Sequence, residues 1–384
     1  RQGKGMKFIK NGRLILKDRI LTGKAIAYDD RIIGFVDNDA VPAGAEVIDA
    51  AGAYVAPGLI DVHIHGYLGQ DVCDCNPDGI RKIAAGIVQN GVTGFLPTTM
   101  TVSMDTIEKA IDVCRSLKEE SKTWKGTAIL GVHAEGPFIN PKKKGAQDEK
   151  YILKPDAAFV KKNADMIKII TMAPEMDEDF AAIREIVSDT DVVVSMGHTD
   201  ATYDVAAAGI VNGVRSTTHL FNAMSALGHR NPGVVGAALK YDVYTELIVD
   251  TFHVDKSLYS IVGKQKGEKL VFITDCLPAG GLPEGEYTLG GQRFIAKGIE
   301  CRLPDGTIAG SVLKLNKGDW NVYTNSDMPL YEAVNCASLH PATLIGLGRT
   351  KGSLDIGKDA DIILADDSFN VLKTIIGGTV RYEG

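Results

Sequence analysis

The sequence predicts an α/β protein, a (β/α)8 barrel joined to a small β-sandwich made from both chain ends, and three observations predict it. Apolar β-rich segments alternate with helix-patterned ones through the middle of the chain, eight such segments can be counted, and both ends instead carry short strands broken by turn signals. The length of 384 residues suits a barrel of roughly 250 residues plus an accessory unit.

From Met6 to about Ala53 the pattern is Lys7 to Ile9, Asn11-Gly12, Arg13 to Leu16, Ala25 to Tyr28, Asp29-Asp30 and Ile32 to Val36, too short anywhere for a helix. Residues 1–5, Arg-Gln-Gly-Lys-Gly ahead of Met6, read as an expression remnant and stay outside the fold argument. From about Gly352 the same texture returns, with Asp361 to Ala365, Val371 to Ile376, Gly377-Gly378 and Thr379 to Tyr382. The expected small domain therefore comprises 1–56 with 350–384, and the barrel 57–349. Barrel strands are expected at Val62 to His65, Gly94 to Thr98, Leu130 to Glu135, Ile167 to Ala173, Val192 to His198, Ser216 to His219, Leu247 to His253 and Leu270 to Asp275. Helices are expected at Asp78 to Asn90, Ser103 to Glu120, Asp177 to Ser188, Tyr203 to Asn212 and Ser326 to Ala337, and hairpins from Glu284 to Lys314. A doubly wound open sheet is the structural rival, but no glycine-rich dinucleotide fingerprint follows an early strand.

Composition narrows the function. A net charge of -7 argues against a nucleic-acid partner, because phosphate backbones are bound by neutralising Lys and Arg. A small anionic substrate needs only a local cationic pocket. No run of about 18 apolar residues could span a bilayer, and no secretory signal is seen, so a cytoplasmic protein is expected. Six cysteines, Cys73, Cys75, Cys114, Cys276, Cys301 and Cys336, lack a Cys-x2-Cys pair and read as reduced thiols.

The informative polar residues end apolar strands, where the active site of such a barrel forms. His63-Ile64-His65 puts two imidazoles on one side of strand one, able to grip one metal, although a lone His-x-His is equally well a satisfied strand end. Glu135 ends strand three in His133-Ala134-Glu135-Gly136-Pro137-Phe138; a carboxylate there is costly unless paired or metal-bound. His133 reads as a supporting or core histidine. His198 and His219 end strands five and six and form with Glu135 a Glu/His/His set suited to zinc or iron with a position open for water. Asp275 ends strand eight and could serve as acid/base or as a ligand. The run Lys142-Lys143-Lys144 reads as a solvated loop, although it sits near enough to Glu135 in sequence to cover the rim.

This pattern resembles the amidohydrolase superfamily. Within it the segments Ala56-Pro57-Gly58-Leu59-Ile60-Asp61-Val62-His63-Ile64-His65-Gly66, His133 to Phe138, Met196-Gly197-His198-Thr199, His219-Leu220-Phe221-Asn222-Ala223-Met224, His229-Arg230-Asn231-Pro232-Gly233 and Gly352 to Asp361 resemble the N-acetylglucosamine-6-phosphate deacetylase family. The resemblance covers the chain from Met6. It implies hydrolysis of the acetamide of a phosphorylated amino sugar, with Glu135, His198 and His219 at the main metal site, His63 and His65 at a second, and one or two divalent ions, zinc or iron, per subunit. It further implies Asp275 as the catalytic acid/base, Asn222, the Ala223 amide and Arg230 at the phosphate, and His253 at the sugar. Because the arginine is often supplied by a neighbouring subunit in that family, a homodimer is implied. Where many members carry a histidine that polarises the acetyl carbonyl, this chain has Gln147, whose amide donates a hydrogen bond but cannot be protonated.

Other members of the superfamily act on cyclic amides through a carboxylated lysine at the end of strand four, but here that strand ends Thr171-Met172-Ala173-Pro174. A different N-acetyl sugar phosphate stays open as substrate. A noncatalytic scaffold should have lost ligands that this chain retains.

Overall fold

The computed structural model describes residues 5–384, so the reading of residues 1–5 as a remnant falls almost wholly outside the described residues. Eight parallel strands run in sequence order round a barrel. They are β1 (Leu59–Ile64), β2 (Val92–Thr99), β3 (interrupted, Ala128–Ile129 and Val132–Glu135), β4 (Ile167–Met172), β5 (Val193–Met196), β6 (Ser216–Thr217), β7 (Tyr244–Ile248) and β8 (Leu270–Ile273). Parallel pairing holds the register, for example Ile169 opposite Val193 and Leu247 opposite Phe272. The last seam closes only at the upper rim. There Ile64 bridges Cys276, and the Asp275 and His65 amides donate to His63 O and Cys276 O at 2.8 and 2.9 Å. Lower down, Ile60 N donates to Ala337 O.

The two-residue period sorts the strand side chains. Ile169, Val193, Ile248, Val271 and Ile273, which alternate with the residues below and above them on the faces of Thr171, Ser195, Glu246 and Asp275, form one buried apolar cluster. The opposite faces, with Ile170, Met172, Val194, Leu247 and Phe272, join a larger cluster containing helix residues Ile183, Ala206, Val234 and Val262. Burying both faces explains why these strands read as nearly continuous apolar runs.

Helix starts follow their capping residues. Helix α1 (Pro77–Ile87) begins behind Asn76, whose side chain accepts from Asp78 N, and α2 (Met104–Ser121) behind Ser103, which accepts from Thr106 N. The helix expected over Asp177 to Ser188 is broken instead. Asp179 and Phe180 take left-handed backbone angles, φ 53° and 54°, and the regular helix runs only over Ala181–Asp189, capped by the Asp177 carboxylate on Ala182 N and Ile183 N. The helix expected over Ser326 to Ala337 covers Leu330–Cys336, because Pro329 sets its start, and a helix over Leu315–Asn325 that the sequence pattern did not reveal precedes it. The expected strand from Leu247 to His253 is likewise corrected. It spans Tyr244–Ile248, and His253 lies in the loop beyond, where Asp250 turns the chain by accepting from Phe252 N and His253 N. The strand expected at Ser216 to His219 ends at Thr217.

The expected hairpins after β8 are a three-stranded antiparallel sheet, Gly285–Leu289, Gln292–Lys297 and Glu300–Arg302. The two chain ends meet in a six-stranded sheet in which Ile362 to Ala365 pairs with Tyr54 to Pro57. A four-stranded sheet from the N-terminal segment accompanies it, and Ile9, Ile26, Val55, Ile362 and Ile375 share a second buried core.

Candidate metal centre and active site

Strand ends at the closed rim deliver six donors to one place. His63 Nε2 and His65 Nε2 stand 3.3 Å apart, as the two-residue spacing requires, and both face Asp275 Oδ1, at 3.3 and 3.1 Å. His198 Nε2 and His219 Nε2 are also 3.3 Å apart, and lie 3.5 and 3.2 Å from Glu135 Oε2. Glu135 joins the two groups, with Oε2 3.1 Å from His63 Nε2 and Oε1 3.2 Å from His65 Nε2.

These donors suit a cation. The sets His63/His65/Asp275 and Glu135/His198/His219 each keep their donor atoms within 4.8 Å of one another, and all six residues are buried. A tetrahedron of donors about 2.0–2.1 Å from its centre has edges of about 3.3 Å, the spacing found here. The outward nitrogens settle the tautomers. Nδ1 of His63, His65, His198 and His219 faces Glu246 Oε1 (2.9 Å), Thr98 O (3.2 Å), Lys143 O (2.7 Å) and Asn222 O (3.0 Å). Each must therefore donate its Nδ1 proton outward, leaving Nε2 to face inward.

Electrostatics carry the same signature. Burial opposes charge on His63 and His65, yet Glu135 and Asp275 beside them raise both, His65 to about 9. Burial likewise favours neutral Glu135 and Asp275, but the surrounding histidines hold both well below the ordinary carboxylate range. Protons on the inward nitrogens occupy the place that a divalent ion would take with their release. His133 differs. Burial and the nearby His63 push it down to about 4, and its nitrogens are taken by Val62 O at 2.9 Å and Thr171 Oγ1 at 2.7 Å. It is a supporting histidine, as the sequence suggested.

Three of the site residues follow their strand ends with left-handed backbone: His198 (φ 46°), His219 (φ 30°) and Asp275 (φ 50°). Side chains other than Gly pay for that conformation, and such strain gathers where a function fixes the chain. Above the donors opens a cavity of about 370 Å³, lined among others by Glu135, Gln147, Asn222, Ala223, His253 and Asp275. Gln147 is tied at both ends, donating to Glu135 Oε1 at 2.6 Å and accepting from Thr101 N at 2.7 Å. His253 is held by Asp250 Oδ2 (2.7 Å) and Ala309 O (2.8 Å). Burial alone would lower its pKa, but Asp250 raises it.

Two cationic features bear on the cavity. Lys142 and Lys143 line the cavity rather than a purely solvated loop. The turn that brings them there passes through Gly145 at φ 54°, where an added Cβ would come within 3.4 Å of His198. Arg230 is exposed and does not line the cavity of its own chain. Sequence reasoning missed Glu246, fully buried in β7; its signal was a lone charge within the apolar run Tyr244 to Ile248.

Known proteins agree with this geometry. Residues 54–381 match the model of the amidohydrolase family. The chain is 35% identical over 383 residues, 97% of this chain and 96% of the relative, to the N-acetylglucosamine-6-phosphate deacetylase of Bacillus subtilis (strain 168). It is 31% identical over 371 residues, 95% of this chain and 97% of the relative, to the N-acetylgalactosamine-6-phosphate deacetylase of Escherichia coli O157:H7. The crystal structure of N-acetylglucosamine-6-phosphate deacetylase from Pasteurella multocida superimposes with a TM-score of 0.93 at 32% identity, covering 99% of this chain and 100% of that one. With a matching barrel, converging donors and these relatives, the chain belongs to the amidohydrolase family.

Proposed function

We propose that this hydrolase cleaves the acetamide of N-acetyl-D-glucosamine 6-phosphate to D-glucosamine 6-phosphate and acetate, a step of amino-sugar breakdown or recycling. The observation that carries the reading is Glu135, set between two histidine pairs at the floor of a cavity with a cationic wall. Glu135, His198 and His219 would hold one divalent ion, zinc or iron, and His63, His65 and Asp275 a second. When bound, such an ion polarises an amide carbonyl and lowers the pKa of a water molecule toward neutrality.

The chain's own groups do the rest. Asp275, anionic and facing the cavity, accepts the proton of the attacking water. It then delivers that proton to the amide nitrogen as the C–N bond breaks, so the amine leaves neutral and acetic acid forms, whose remaining proton passes to solvent or to the freed amine to give acetate. Asn222, the Ala223 amide, Lys142 and Lys143 receive the phosphate, and His253 meets the sugar. Arg230, outside its own cavity, reaches the phosphate of a second copy, so the working unit is a homodimer. We assign the catalytic barrel to 57–349 and the small β unit to 1–56 with 350–384. No helix of the described residues is long and apolar enough to cross a membrane, and six unpaired cysteines suit the cytoplasm, where we place the reaction.

Acetate release from N-acetylglucosamine 6-phosphate, before and after chelation and after return of zinc or iron, tests this function. Activity should vanish and return; full turnover by metal-free protein would refute it. The relative from E. coli favours one second reading, the C4 epimer N-acetylgalactosamine 6-phosphate, and a larger kcat/KM for that epimer would install it instead.

A further inference from the structure

Three of the four inward-facing histidines are oriented by backbone carbonyls, which no substitution removes. His63 alone is oriented by a side chain. Its Nδ1 lies 2.9 Å from Glu246 Oε1, an oxygen that also accepts from His219 N at 3.3 Å. Glu246 is 0% exposed, and its other oxygen, Oε2, has no hydrogen-bond partner among the described residues, lying 3.9 Å from a His133 Nδ1 already engaged by Val62 O. A carboxylate buried in a barrel strand with one oxygen unsatisfied is costly, and packing alone does not account for it. Leu or Met would fill the same space without that cost.

We propose that Glu246 is the positioning residue of the His63/His65/Asp275 site, holding His63 in the tautomer and ring orientation that turns Nε2 toward Asp275 and Glu135. It touches neither substrate nor the cavity, and is absent from the cavity lining. Its effect is selective. His198 and His219 have their own carbonyl partners at Nδ1, so losing Glu246 costs the Glu135/His198/His219 set only the longer 3.3 Å bond from the His219 amide and leaves its imidazoles held. The negative charge on the far side of His63 also makes Nε2 a stronger donor. Glu246 therefore decides whether the chain holds one divalent ion or two, an inference that rests on the metal-dependent reading above.

The test is titration of metal-stripped protein with cobalt(II), read by visible absorption and by elemental analysis of the dialysed product. Wild type should take up two ions per chain in separable steps. Glu246→Leu should keep the first step and weaken the second by about 10- to 100-fold, as loss of a ligand's hydrogen-bond partner does. Glu246→Gln, whose amide oxygen can still accept from Nδ1, should retain the second ion more strongly than Leu does. A Leu variant that binds both ions as wild type does, or loses both equally, overturns the proposal. Should the Leu variant fail to fold, Glu246→Met, which also lacks the acceptor, decides in its place, and an unchanged second step in it overturns the proposal. Wild type binding a single ion overturns this inference and leaves the deacetylase reading standing, whereas wild type binding none overturns both.

Discussion

Gln147 and Glu135 share a 2.6 Å hydrogen bond from Nε2 to Oε1, and the Thr101 amide holds the opposite end of the Gln147 side chain at 2.7 Å. The Gln147 amide is thus committed to orienting the carboxylate between the two histidine pairs. Replacing it frees Glu135 to rotate. Gln147→Ala should weaken ion binding by about 10- to 100-fold, measured by competition with a chromophoric chelator. Unchanged affinity would show that Glu135 holds its place without help.

Asp275 lies against both His63 and His65 and faces the cavity, the placement the proposed proton transfer requires. Asp275→Asn keeps the shape and removes the acceptor. Its kcat should fall by about 10²–10⁴-fold, while calorimetry should find substrate affinity changed only slightly. Near-normal turnover would remove Asp275 from catalysis.

Arg230 sits outside its own cavity, so the proposed action across a dimer is open to a direct test. Arg230→Met and Asp275→Asn should each be impaired alone. Co-refolded in equal amounts, they should regain roughly a quarter of wild-type activity, since half the symmetric dimers are mixed and each mixed dimer rebuilds one site. Failure of any recovery, with mixed dimers confirmed by mass, would confine the phosphate site to one chain.

Far from the chemistry, Asp319 lies 0% exposed in the helix Leu315–Asn325, with no partner among the described residues for either carboxyl oxygen. Burial raises its pKa well above the ordinary value. The folded chain therefore holds this proton to higher pH than the unfolded chain, and stability falls as pH rises above the unfolded value of about 3.9. Asp319→Asn cannot ionise. It should match wild type near pH 4 and melt about 1–3 °C higher at neutral pH, because the carboxyl loses stability to ionisation there and the amide does not. A gain independent of pH would point to packing instead.

Much was legible in the chain because it is local. Strand count, the apolar runs and the His-x-His spacing are patterns within a few residues, and polar residues closing apolar strands pointed to His63, His65, Glu135, His198, His219 and Asp275 together. Element edges were read less well, as at Asp179-Phe180 and in the strand expected to reach His253, because side-chain caps and left-handed residues end elements without disturbing hydrophobic periodicity.

The composition and order of residues determined which groups reach the barrel rim, since a two-residue period and a parallel strand leave them nowhere else to point. Tertiary structure alone decided what each group is attached to. His63 meets Glu246 across 183 residues and Gln147 is drawn to Glu135 and Thr101, while Lys142 and Lys143 turn into the cavity and Arg230 stays out of it. Such partnerships depend on distance and angle between segments remote in the chain, which no local pattern of residues encodes.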